Sequence, residues 1–250
     1  MDAPLLTTSA YLDAIARESA ALAAAARTAG LDAAVPSCPD WNVADLVEHI
    51  GNVQRWATAT VSTLPSDRIR FSSTAEHPSP DELLDWLARV SRGLVDELTA
   101  ADPSAPVWTF GPDRTVRFWF RRQAQEAAVH RWDAELAAGD PSPIDAVLAA
   151  DGVAEWLDLR IAANAAAFAG QGETVHLHCT DTAEDGGGEW LVTLGETGPT
   201  VEPVHAKGDV AARGTASDLD LFVWGRVEPD ALEVFGDAEL LERFRSAGSA

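Results

Sequence analysis

Basic residues are scarce in this chain of 250 residues: 18 Lys and Arg stand against 40 Asp and Glu, giving a formal charge of −22. That balance excludes nucleic acid and an anionic membrane surface as expected partners, because both demand a positive face. Only one residue is lysine, Lys207, so the other 17 are arginine; with abundant alanine, this is a compositional bias and not a functional mark. There are only two cysteines, Cys38 and Cys179, too few for a disulfide framework or a CxxC metal motif. No apolar run reaches the roughly 18 residues that a membrane-spanning helix needs. The opening stretch MDAPLLTTSAYLDAI has no basic segment leading into an apolar one, so the expected compartment is the cytosol.

What the chain does have is 46% hydrophobic residues and a helical first half. Thr8 to Thr28 predicts a first helix with the stripe Tyr11, Leu12, Ile15, Ser19, Leu22 and Ala26, capped by Thr8 or Ser9 and closed by Gly30. Asn42 as N-cap, with Asp45 three residues on, starts a second helix running to about Thr60. Ser79-Pro80-Asp81-Glu82 opens a third, to about Ala100. The fourth, Arg117 to Gly139, has no proline and a glycine where a C-terminal cap belongs. Four amphipathic helices with moderate connections predict an antiparallel bundle. The polar, proline-containing GDPSPID marks a domain joint, giving residues 1–140 and 141–250. Beyond it, a helix over Ala146–Phe168 gives way to strands. The clear ones are Thr174–Thr180 and Glu189–Leu194, separated by the turn-rich EDGGG. Weaker ones are Val201–His205 and Val210–Gly214; Leu232–Phe235 is a short strand, with helices over Ala216–Gly225 and Ala238–Ser246. The expected fold class is α+β with two domains: a four-helix bundle and a small, mainly antiparallel α+β unit.

The fourth helix carries the chemistry. Glu126 and His130 lie about 40° apart on one face, and Arg122 and Asp133 extend the same stripe. Phe118, Trp119, Val129, Trp132 and Leu136 argue that much of this helix is buried, where ionisable groups are costly unless paired or ligating. Taken alone, an i,i+4 Glu–His pair reads first as a solvated contact; on a buried helix it suits a divalent metal. His49, at the edge of the second helix's buried face, reads as a core histidine or as a third ligand delivered across the bundle. Arg114 to Arg131 holds five basic residues and one acid, which either steer an anionic ligand or pair with acidic neighbours. His176 and His178 share a strand face, as a two-histidine ligand set or a solvated face; with no third ligand nearby in sequence, the solvated face is expected. Cys38 has nothing beside it to lower its pKa and reads as structural.

The stretches CPDWNVADLVEHI and RRQAQEAAVHRWDAELAAG, with the tail GTASDLDLFVWGRVEPDALEVFGDAELLERF, resemble the mycothiol-dependent maleylpyruvate isomerase family. The resemblance implies a DinB-like bundle followed by a C-terminal domain related to sterol-carrier proteins. It implies His49, Glu126 and His130 as ligands of zinc or another divalent metal, with Arg122 and Asp133 orienting them, and mycothiol as thiol cosubstrate. Arg226 matches an arginine expected near the active site, where it would hold a substrate carboxylate. Such an enzyme adds a thiolate to a small electrophile. An isomerase then lets the resulting single bond rotate before elimination, whereas an S-transferase keeps the new carbon–sulfur bond. Two other classes stay open: a non-catalytic zinc-stabilised binding or regulatory protein, and a metal-dependent hydrolase on the same bundle.

Overall fold

A computed structural model of the protein describes residues 6–182 and 187–249. The expected turn over residues 184–188 falls mainly outside the described residues, as does the start of the opening stretch. The chain is α+β and separates into two compact units, Thr7–Ser142 and the chain from Pro143 on.

The first unit is helical, with α1 at Thr8–Ala29, α2 at Val43–Thr63, α3 at Leu83–Ala100 and α4 at Arg117–Ala138. Local chemistry sets their ends. Thr7, one residue earlier than expected, caps α1 by accepting from the Ala10 amide. Asn42 and Asp45 form a reciprocal capping box on α2, satisfying two amide donors that the helix itself cannot. Gly139 ends α4 in the left-handed conformation (φ 85°) that a Cβ would strain. The Ser79–Glu82 signature forms a separate turn, and α3 begins after it.

α1 packs along α4 and α2 along α3, with further contact of α1 on α3 and α2 on α4. Leu22, Ala26, Val43, Leu46, Ile50 and Leu87 are fully buried between them. Several polar side chains are buried too. Gln54 donates to Ser19 and accepts from Ser91, linking α2 to α1 and α3, and Arg131 of α4 donates to Glu18 of α1 at 2.8 Å. α4 is buried on nearly every side, including Arg122, His130, Arg131 and Asp133. Charges in such a position persist only when paired, and here each has a partner.

The second unit starts with α5 at Ala146–Asn164, capped by Asp145 and followed by a 3-10 turn over Ala165–Phe168. The strands are β1 Glu173–Cys179, β2 Glu189–Gly195, β3 Gly198–Glu202, β4 Val210–Gly214 and β5 Glu233–Gly236, with α6 Ala216–Val223 and α7 Ala238–Ser249. The sheet order is β3-β2-β1-β4-β5, parallel only between β1 and β4. Period-two alternation sends Val175, Leu177, Trp190, Val192, Val210 and Ala212 to one buried face. Helices α6 and α7 pack against β1 and β4. Phe168 meets Trp156 and Phe244 edge-on in the core of this unit, and those two rings pack tilted against each other. The strand expected over Val201–His205 instead covers Gly198–Glu202. Pro203 has no N–H for the ladder, so pairing stops before it and His205 lies outside any strand. No helix among the described residues is long and apolar enough to cross a membrane.

Candidate metal centre

In the first unit, α2 and α4 bring His49, Glu126 and His130 together. Glu126 Oε1 lies 3.2 Å from His49 Nε2 and 3.4 Å from His130 Nε2. One donor atom from each residue falls within 4.8 Å of the others. Four-coordinate zinc with bonds of about 2.0–2.1 Å holds its donors roughly 3.3 Å apart, so the spacing around the carboxylate already matches such a polyhedron. Among the described residues this group has three members.

The far side of each ligand on α4 is occupied. Arg122 donates to Glu126 Oε2 at 2.8 Å, leaving Oε1 to face the imidazoles. A carboxylate only accepts, so His130 donates its Nδ1 proton to Asp133 at 2.8 Å and turns Nε2 toward Glu126. Ser37 donates to the other Asp133 oxygen at 2.6 Å, and the Cys38 thiol lies 4.0 Å from Asp133 Oδ2. The donor set, with its outer atoms already bound, fits a divalent ion of zinc type. Trp41 packs against both imidazoles, its ring centroid 4.8 Å from that of His49 and 6.1 Å from that of His130. A cavity of about 400 Å³ borders His49; its lining includes Asp40, Trp41, Glu48 and Phe71.

Electrostatics follow from this packing. Burial pushes the Glu126 carboxyl up, but the Arg122 guanidinium and the hydrogen bonds from His130 and His49 outweigh it and hold the group well below the usual carboxylate range. Burial pushes His130 down, yet its contacts with Asp133 and Glu126 prevail and raise it.

Of the residues expected near the site, Arg122 and Asp133 touch two of the candidate ligands directly. The basic cluster is partly consumed by pairing: Arg122 with Glu126, and Arg131 with Glu18 and Glu135. Arg226 belongs to the second unit, where its Nη1 donates to the Trp224 carbonyl just after α6. Ser37 and Trp41 carry no periodic signal in the sequence; what marks them is their place just before and at the end of the CPDW stretch, twelve and eight residues before His49. The cysteines divide. Cys38 is half-buried, and Cys179 is buried with its thiol pushed well above its ordinary value by desolvation and by Asp181, Asp220 and Glu189.

His176 and His178 do not form a solvated strand face. His176 is 5% exposed, and Glu189 and His205 complete a compact group with the two.

Residues 12–135 match the family model described as the mycothiol maleylpyruvate isomerase N-terminal domain, and residues 147–243 match the one described as the MDMPI C-terminal domain. No curated protein matches the chain.

Proposed function

Because the chain belongs to the mycothiol maleylpyruvate isomerase family, we propose that it is a cytosolic, divalent-metal-dependent enzyme that uses mycothiol on a small electrophile. Its reaction is either cis–trans isomerisation, as with maleylpyruvate, or transfer of the thiol sulfur. The first domain is then a DinB-like antiparallel four-helix bundle, ending near residue 140, with His49, Glu126 and His130 as ligands. The observation that carries the reading is the convergence of His49 Nε2, Glu126 Oε1 and His130 Nε2, with Arg122 and Asp133 fixing the outer atoms of two of them.

A zinc ion held there would offer a remaining position to a thiol and lower its pKa, making thiolate available at neutral pH. The chain's own residues prepare that position. Arg122 keeps Glu126 ionised and its Oε1 turned inward. Asp133 fixes the His130 tautomer whose Nε2 can ligate. Trp41 packs against both imidazoles and limits their tilt. The cavity beside His49 presents carboxylates at Asp40, Asp45 and Glu48, which suit hydrogen bonds from a polyhydroxylated thiol better than a second anion. Arg226 is the proposed clamp for a substrate carboxylate, where its charge also stabilises a developing enolate.

The test is turnover by the purified protein of maleylpyruvate, and separately of a bimane electrophile, with and without mycothiol and a chelator. Turnover is expected only with both thiol and metal, and is lost in His130→Ala. Turnover unchanged without thiol contradicts the reading and points to hydrolysis on the same ligands.

A further inference from the structure

The second unit carries a donor cluster that the proposed reaction does not use. Alternation along β1 puts His176 and His178 on the face opposite the core residues Val175 and Leu177. The β1–β2 register pairs His178 with Glu189, so the carboxylate stands beside both imidazoles. After β3 the chain leaves the ladder at Pro203, and the irregular stretch 203–209 carries His205 to the same carboxylate. His205 Nδ1 lies 2.6 Å from Glu189 Oε2, His176 Nε2 3.0 Å and His178 Nδ1 3.4 Å from that same oxygen.

The three rings form a near-equilateral triangle, with centroids 5.7, 5.6 and 5.6 Å apart and planes crossed at 72°, 89° and 79°. They therefore do not stack; each turns one nitrogen toward a shared centre. Hydrogen bonding alone accounts poorly for this. A single carboxylate oxygen offers about two lone-pair sites, too few for three N–H donors. At least one imidazole must then direct a lone pair into the group, and a cation at the centre would take a lone pair from every member. All four donor atoms already lie within 4.8 Å of one another, close to the roughly 3.3 Å edges of a tetrahedron around zinc.

We propose that His176, His178, His205 and Glu189 form a second divalent-metal site. Three imidazoles and one carboxylate suit zinc or a neighbouring late first-row ion. Four protein ligands close the coordination, so this site stabilises and does not catalyse. Its mechanical consequence is local. His205 is the ligand from outside the sheet, and its bond ties residues 203–209 to β1 and β2.

The chain supplies its own reporter, because its single lysine, Lys207, is exposed two residues beyond His205. The experiment uses full-length His49→Ala/His130→Ala protein, dialysed free of metal and titrated with zinc chloride. One zinc per chain is expected, with cleavage by a lysine-specific protease after Lys207 slowed on the order of tenfold at zinc ten times its Kd. Adding His176→Ala and His205→Ala should abolish both effects, with circular dichroism confirming that the fold persists. No zinc bound in the first background, or equal zinc after the added substitutions, overturns the proposal. Binding without protection at Lys207 overturns the assignment of His205 as a ligand. Should the starting variant not fold, wild-type protein gives the same reading as two zinc ions falling to one in His176→Ala/His205→Ala.

Discussion

Asp133 has no exposed surface, and its carboxylate joins α4 to the loop before α2 through His130 and Ser37. It never faces the shared centre, so its contribution is to the orientation and basicity of His130. Asp133→Asn keeps the volume but removes the charge. Metal affinity should fall about 10- to 100-fold, with little change in melting temperature, as read by competition with a chromogenic chelator. Unchanged affinity would make Asp133 a packing residue only. This relation was half legible in the sequence. The i,i+3 spacing from His130 to Asp133 and the i,i+4 spacing from Arg122 to Glu126 are helix arithmetic, readable once the helix is recognised. Ser37 and Trp41 reach the site from a loop, and loop trajectories carry no periodicity to read.

Elements were legible where their signals were local. The Asn42–Asp45 capping box, Gly139 and the alternation in β1 and β2 each sit inside a few residues. Long-range partners were not: Glu18 finds Arg131 across 113 positions, and His205 reaches Glu189 only because the strand before it stops at Pro203. Two predictions belong to this scale. Gly51 sits where α2 meets α3, and a Cβ there would lie 2.0 Å from the Trp86 ring. That ring is anchored by its own N–H to Glu76 at 2.8 Å and cannot simply swing away. Gly51→Ala should therefore cost about 1–3 kcal/mol in urea unfolding, as overpacking does; a neutral result would show the two helices free to separate.

The other prediction concerns β1 and α7. The hydrogen bond from Arg243, with the backbone amides of Glu173 and Gln171, holds the half-buried Glu173 carboxyl down to about 2. A carboxyl depressed on folding contributes stability above its unfolded pKa of about 4.3, and that contribution is lost as pH falls toward 2. Arg243→Ala should raise the Glu173 pKa in an NMR titration and flatten the loss of stability between those pH values. A Glu173 pKa that does not move would place the effect in the backbone amides alone.

Across the whole molecule, an excess of 22 negative charges surrounds two groups of metal-type donors, one in each unit. A field of that sign favours cations and disfavours polyanions. Histidine ligands must be deprotonated to bind, so metal affinity at both groups should fall as pH drops below neutrality. The fold class and the two-part organisation follow from patterns spread over many residues, and so survive errors at individual positions. The chemistry depends on a few side chains meeting in space, and for that the sequence spoke through motif and resemblance more than through pattern.

The most direct measurement is the absorption spectrum of cobalt(II)-substituted protein carrying His176→Ala and His205→Ala, titrated with mycothiol. The expected result is a near-ultraviolet sulfur-to-cobalt charge-transfer band that grows with thiol and is absent when His130→Ala is added. A spectrum that mycothiol leaves unchanged, or cobalt retained equally without His130, would contradict a thiol-binding metal centre at His49, Glu126 and His130.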